Sequence, residues 1–243
     1  MQRELQVLEV FLRLPVKSTN EVFEIFSEIP NAVVRGESPK KFLYVEGKRE
    51  NKVLLVAHAD TVWTIKKEGE LIDSVKIIKK EGVLIRNTNG PLGVDDRAGC
   101  AILWLLKDLG HSLLITDGEE VGRLGSSFLV EENEDIFEEI NKKHQFIVEF
   151  DRKNGREFKC YDNAGTPKFK KYISEKTGYT EPDKRGFTDI VTLCTEICGV
   201  NLSIGFYNEH SEEDYINTEE WLHTLNLCRN WLSESKLPRF ELV

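Results

Sequence analysis

Four apolar runs constrain this chain more than anything else in it: KVLLVAH (52–58), HSLLIT (111–116), QFIVEFD (145–151) and NLSIGFY (201–207). Each has the length and residue content of a strand, and KVLLVAH is almost wholly apolar, as a strand covered on both faces should be. Helical periodicity fills the intervals, so the pattern predicts an α/β layered domain. In such a domain, sites form where strand ends meet loops. The residues just past these four runs are therefore the first candidates for chemistry.

The remaining order follows from the same reading. Helices are predicted over Arg3–Leu14 and Asn20–Ser27, then a strand in FLYVEG (42–47). The lysine-rich stretch 66–80 reads as exposed strands and turns leading to GVLIR. A buried helix is predicted over Asp96–Leu109, ended by Gly110, and another over GSSFLVEEN (125–133). TDIVTLCTEIC (188–198) reads as a helix with Thr188 as its N-cap and Gly199 past its end. NTEEWLHTLNLCRNWLSES (217–235) reads as an amphipathic helix with Asn217 and Glu220 in capping-box positions. From Arg152 to Arg185 the pattern weakens into loops and one short helix near 168–176, and ten Lys or Arg meet five Asp or Glu.

Composition removes several function classes. At 243 residues, 40% hydrophobic and 31% charged, the chain suits one sizeable soluble domain. A net charge of -9 gives no electrostatic reason for nucleic acid or an anionic membrane as partner. CAILWLL, the longest apolar run, is far short of the ~20 residues of a membrane span. MQRELQVLEVFLRL is broken by charges, unlike a secretory leader. A cytoplasmic location is expected, with Cys100, Cys160, Cys194, Cys198 and Cys228 as free thiols in a reducing compartment. Cys194 and Cys198 are spaced for one face of a helix, and core packing is the simpler role for them. No repeat and no low-complexity tract occurs.

The strand-end rule selects a set. KVLLVAH ends in His58, with Asp60 two residues on; NTNGPLGVDD leads to Asp95 and Asp96; LLIT leads to Glu119 and Glu120; QFIVEF ends in Asp151; NLSIGFYNE leads to His210. Any one of these alone reads as a solvated loop charge. Independent loop charges have no reason to recur at successive crossings of one sheet edge, and two imidazoles with three carboxylates suit zinc or a similar divalent ion. Carboxylates gathered in a partly desolvated cleft repel one another unless protons or cations neutralise them.

Five blocks carry a family resemblance. HAD (58–60), GPLGVDDRAG (90–99), TDGEEVGRLGS (116–126), EFD (149–151) and NEHSEEDY (208–215) resemble, in order, the signature blocks of the co-catalytic dinuclear zinc exopeptidases. That superfamily includes bacterial leucyl aminopeptidases, glutamate carboxypeptidases and acetylornithine deacetylases. The resemblance implies a three-layer αβα domain of the phosphorylase/hydrolase type, with a central mixed, mostly parallel sheet. It implies that His58 and Asp151 hold one metal, Glu120 and His210 the other, and that Asp95 bridges both. Asp60 would orient the His58 ring, Glu119 would act as general base on a water between two divalent ions (zinc, or cobalt or manganese), and a cis peptide is expected between Asp95 and Asp96.

Block spacing narrows the branch. Only 36 residues separate His58 from Asp95 and 58 separate Asp151 from His210, which leaves no room for an inserted β-domain or lid. Residues 1–243 thus resemble a bare catalytic domain of the aminopeptidase type, acting on small peptides and possible as a homo-oligomer. An N-acyl amino acid deacylase or carboxypeptidase on the same site stays open. So do a single-zinc glutaminyl-cyclase-like acyltransferase and a non-catalytic binding protein. The basic 152–185 segment is either a specificity loop for acidic groups or a solvated surface. Asp189 is either a partner of the site or a first-turn helix charge. His111, His144 and His223 read as structural, and Trp63 as core or pocket wall.

Overall fold

Along LLVAH, successive side chains enter two different cores. Leu55 and Ala57 pack with one apolar cluster, Leu54 and Val56 with another, and all four are fully buried. This is the two-faced burial expected of a strand between helical layers.

The structure is a computed structural model that describes residues 2–65, 76–80, 83–88, 90–161, 163–183 and 186–242. In chain order it contains α1 (Gln2–Leu12), α2 (Asn20–Ser27), β1 (Val33–Glu37), β2 (Lys40–Val45), β3 (Leu54–His58), α3 (Val62–Ile65), β4 (Ile77–Lys80) and β5 (Leu84–Asn87). It continues with α4 (Val94–Leu106), β6 (Ser112–Thr116), α5 (Leu124–Glu132), α6 (Glu134–Lys143), β7 (Ile147–Arg152), β8 (Phe158–Lys159) and α7 (Pro167–Thr177). Last come α8 (Asp189–Leu193), β9 (Gly199–Ser203), β10 (Phe206–Tyr207), β11 (Tyr215–Asn217) and α9 (Thr218–Leu232).

Among the described residues, one seven-stranded sheet runs in the order β1-β2-β6-β3-β7-β9-β8. Its four middle strands are mutually parallel, and β1, β2 and β8 are antiparallel additions at the edges. The mixed, mostly parallel sheet and three-layer arrangement are as expected. One face is covered by α1, α2, α4, α7 and α9, through residues such as Phe11, Phe26, Ile102, Phe169 and Trp221. The other is covered by α5, α6 and α8, through Leu129, Ile140 and Ile190. After β3 the chain passes through α4 to β6 on one side of β3, and later reaches β7 on the other. The crevice at such a switch of direction is where parallel sheets hold ligands.

Several expectations need correction. NLSIGFY is not one strand: Gly205, at φ 83°, turns the chain so that Phe206 and Tyr207 leave the main sheet and pair with β11 in a second, four-stranded sheet ordered β10-β11-β5-β4. A Cβ at Gly205 would lie 2.8 Å from that of Glu220, so the turn also needs the missing side chain. TDIVTLCTEIC is helical only over Asp189–Leu193. The amide of Cys198 donates instead to Phe240 and that of Leu242 to Glu196, so a tail segment captures backbone groups a longer helix would have used. Cys194 and Cys198 therefore share no helix face, and both are buried thiols.

Asn217 caps α9 by accepting from the amides of Glu219 and Glu220, but the Glu220 carboxylate accepts from the Tyr207 hydroxyl at 2.7 Å rather than closing a capping box. Of the 66–80 stretch, β4 is a strand as expected, and residues 66–75 lie outside the described residues. The helices α1, α2, α4, α5 and α7 and the strands β2, β3, β6 and β7 fall where periodicity predicts them. No helix among the described residues is long and apolar enough to cross a membrane.

Candidate metal centre

His58 closes β3 with its ring 1% exposed. Its Nδ1 faces the Asp60 backbone carbonyl at 3.0 Å, which turns Nε2 toward Asp95 Oδ1 at 3.0 Å and Asp151 Oδ1 at 3.4 Å. The other Asp95 oxygen lies 3.3 Å from His210 Nε2, which in turn lies 3.0 Å from Glu120 Oε1. Two ligand triads result, His58–Asp95–Asp151 and Asp95–Glu120–His210, and within each the ligating atoms lie within 4.8 Å of one another. Asp95 belongs to both, one oxygen to each side. The Asp95–Asp96 peptide is cis, as expected.

Neighbouring groups hold the backbone or ring of His58, Glu120 and Asp151 and the segments around Asp95. The Asp60 carboxylate accepts from the amides of Glu119 at 3.2 Å and Glu120 at 3.1 Å. It lies 3.4 Å from His58 Nδ1, so Asp60 holds the ring chiefly through its carbonyl and the Glu119–Glu120 turn through its side chain. Asp96 accepts from the amides of His58 and Gly99. Asn201, buried in β9, bonds both the amide and the carbonyl of Asp151. Asp214 accepts from the amides of Leu92, Gly93 and Val94, directly before Asp95.

Electrostatics show what such a gathering costs. Burial, with Asp95 beside it, raises Asp151 well above the usual carboxylate range. Burial does the same to Asp96 and Glu149, with Asp151 adding to it, and pushes Glu119 up to about 10. Hydrogen bonds from His210 and His58 outweigh burial at Asp95 and hold it low. Contacts with Asp95 and Glu120 raise His210 to about 10, and His58 stays high despite its burial because Asp151, Asp60 and Asp95 surround it. Protons thus sit where positive charge is needed. The residues fit divalent ions better than protons: the donors are the nitrogen and oxygen types zinc and its neighbours take, and one carboxylate spans both triads.

The centre opens into a cleft of about 300 Å³ lined by Asp95, Glu119, Glu120, Asp151 and His210, with Arg152, Lys153, Tyr161, Phe187 and Phe206 among the other walls. All seven predicted site residues are thereby brought together. His210 arrives on the turn between β10 and β11 of the second sheet rather than from the main sheet's edge, and it is 48% exposed. Asp189 is fully buried and accepts from the hydroxyls of Thr116 and Ser126, and its charge bears on Glu119, so it is not a solvated helix charge. His111 and His144 are buried structural rings away from the cleft, and Trp63 is 8% exposed. Of the ten basic residues of 152–185, six have an acidic partner among the described residues: Arg152 has Glu157, Lys153 has Glu209, Lys159 and Lys170 share Glu181, Lys171 has Glu175 and Lys176 has Glu234.

Sequence reasoning missed Asp214, Asn201 and Glu149. The last two carried a usable signal, a polar residue inside an otherwise buried strand, which is costly unless it has a task.

No protein-family model matches the sequence, and no curated protein matches it by sequence. Solved structures do match. A tripeptidase from Staphylococcus aureus superposes with a TM-score of 0.67 at 14% identity, over 96% of this chain and 99% of that one. Aminopeptidase PepT from Bacillus cereus gives 0.65 at 13% identity, over 96% and 98%. The TET1 peptidase of Pyrococcus horikoshii, described as able to assemble into a tetrahedron or a large octahedral shell, gives 0.63 at 15%, over 93% and 98%. The chain has the fold of these peptidases.

Proposed function

We propose that this chain is a metal-dependent exopeptidase that removes N-terminal residues from small peptides, with residues 1–243 acting as a catalytic unit without lid or inserted β-domain. The observation that carries the reading is the pair of ligand triads sharing Asp95 at the C-terminal edge of the parallel strands. His58 and Asp151 would hold one divalent ion, Glu120 and His210 the other, and Asp95 both. When bound, such ions polarise an amide carbonyl and lower the pKa of water.

The chain's own groups do the rest. Asp60 holds the backbone of Glu119 and Glu120, so that one carboxylate is committed to the ligand set while the other faces the cleft. Glu119 takes the proton of the attacking water and returns it to the nitrogen of the departing amine. Burial raises Glu119 most and repulsion from Asp151, Asp189 and Asp95 adds to it; cations held by Asp95 and Asp151 would remove part of that repulsion and favour the carboxylate form that accepts the proton.

Metal analysis of purified protein, followed by assay of the apo and the zinc-, cobalt- or manganese-loaded forms, tests this. The panel holds aminoacyl, carboxy-terminal and N-acyl substrates. The reading expects two ions per chain and metal-dependent release of N-terminal residues. A single zinc per chain would favour acyl transfer, and preference for N-acyl or carboxy-terminal substrates would move the protein to those branches. We also propose a homo-oligomer, on the analogy of the TET1 assembly, and a cytoplasmic location, on the five buried free thiols.

A further inference from the structure

One lining charge of the cleft has no task in the reaction just described. Two divalent ions would cancel Asp95, Glu119, Glu120 and Asp151, and Lys153 is already paired with Glu209, another lining residue. Arg152 has no such partner in the wall. Among the described residues its side chain makes one hydrogen bond, from Nη2 to Glu157 at 2.8 Å, and Glu157 stands outside the lining. Its Nε is buried without a partner, and the side chain is only 11% exposed. A guanidinium carries five donors in a fixed fork. Here one is ion-paired to Glu157 and Nε alone is buried without a partner, and a donor cut off from both water and protein is expensive.

The position of Arg152 is not accidental to the site. It is the last residue of β7, directly after Asp151, and its carbonyl accepts from the amide of Ile204. The adjoining wall is Tyr161, a bulky residue held at φ 51° with its hydroxyl accepting from the Asn201 amide that also fixes Asp151. A tyrosine in the left-handed region is strained, and such strain persists where surrounding structure imposes it. Asp151, Arg152 and Tyr161 therefore form one braced unit, with a ligand carboxylate on one side and an under-used guanidinium on the next residue.

We propose that Arg152 binds a carboxylate of the substrate, so that the preferred class is short peptides bearing a carboxylate within reach of the scissile bond. This rests on the reading of the cleft as a peptide-hydrolysing metal site. Two sources share that chemistry: an acidic side chain, or the free C-terminus of a di- or tripeptide. The planar fork suits a carboxylate in two-point contact, which a lysine would meet only as a point charge.

The test compares Glu-Leu with Gln-Leu peptides, and Leu-Gly with Leu-Gly amide, on the zinc-loaded 243-residue chain and its Arg152→Gln and Arg152→Lys forms. In the natural protein the carboxylate-bearing member of at least one pair should be favoured in kcat/KM by about ten-fold or more, chiefly through KM. Arg152→Gln should bring that ratio close to one and Arg152→Lys should restore it only in part. The pair that responds identifies the source of the carboxylate. The same peptides are titrated calorimetrically onto zinc-loaded Glu119→Gln protein, with and without Arg152→Gln, which reads the contact without turnover. Discrimination in binding that Arg152→Gln removes supports the proposal even where no peptide is cleaved, an outcome that would count against the exopeptidase reading alone. Equal handling of both members of both pairs, or a preference that survives Arg152→Gln, overturns it.

Discussion

The carboxylate of Asp214 grips the backbone of Gly93, accepting its amide at 2.7 Å, and it takes the amides of Leu92 at 2.6 Å and Val94 at 3.2 Å as well. Asp214 lies four residues beyond His210 and Gly93 two before Asp95, so one side chain ties the loop of the second triad to the loop of the shared ligand. Gly93 sits at φ 68°, which lets three successive amides converge. Asp214→Ala would leave three buried amides unpaired. It should cost about 3 kcal/mol or more of stability and weaken metal binding by about 10–100-fold. Urea unfolding of the apo protein and a chelator-competition titration measure the two effects. Metal affinity unchanged in the variant would mean that the loop positions nothing.

The contrast between Asp214 and His58 shows what could be read from sequence alone. His58 ends an apolar run whose burial on both faces is written in its composition, so its place at a strand end was legible, as were those of Glu120 and Asp151. Asp214 stands in SEEDY, an acidic run like any solvated turn, and only the tertiary approach of the 92–94 loop gives it partners. The second sheet was illegible for a similar reason: β10 and β11 are two and three residues long, and their pairing is decided by the turn at Gly205. The helix α6 carries only a weak periodic signal because its apolar side is narrow, with Ile136 and Ile140 buried amid charges. The short extent of α8 depended on residues more than forty positions away.

Glu119→Gln separates base from ligand. The substitution keeps size and removes the proton acceptor, while the ligands, and the Asp60 contacts to both backbone amides, stay in place. Turnover should fall by about 10²–10⁴-fold with metal content unchanged, as read by steady-state kinetics and elemental analysis on one preparation. Near-normal kcat would remove Glu119 from the proton transfer, and loss of metal would instead make it a ligand.

Gly99 lets α4 approach β7 closely. A Cβ there would lie 2.3 Å from Asp96 Oδ1 and 2.3 Å from the Phe150 carbonyl oxygen, and neither can move without disturbing Asp95 or Asp151. Gly99→Ala should therefore destabilise the apo protein by about 2–3 kcal/mol, although alanine is the better helix former by about 1 kcal/mol. Chemical denaturation gives the sign directly. A neutral or stabilising effect would show that helix and strand can separate without penalty.

Two buried histidines away from the cleft set part of the acid stability. His111 receives the amide of Val53 on Nδ1 and meets the Leu232 carbonyl with Nε2, so it is neutral with its proton on Nε2. His144 meets the Ile140 carbonyl with Nδ1 and the Ser112 hydroxyl with Nε2. Burial lowers the first to about 4 and the second to about 3. Below pH ~6.5 the unfolded rings take up protons that the folded rings refuse, so the unfolded state binds more protons and stability rises with pH in that window. Each ring contributes a slope of about 1.4 kcal/mol per pH unit between roughly pH 6 and its folded value, and the stabilisation is complete above pH ~6.5. The metal ligands titrate in the natural protein and in its variants alike, so their part cancels in a difference. Urea midpoints of apo protein between pH 4.5 and 7.5 should fall more steeply with acid in the natural protein than in His111→Gln or His144→Gln. Parallel curves would show that neither ring is held neutral by its surroundings.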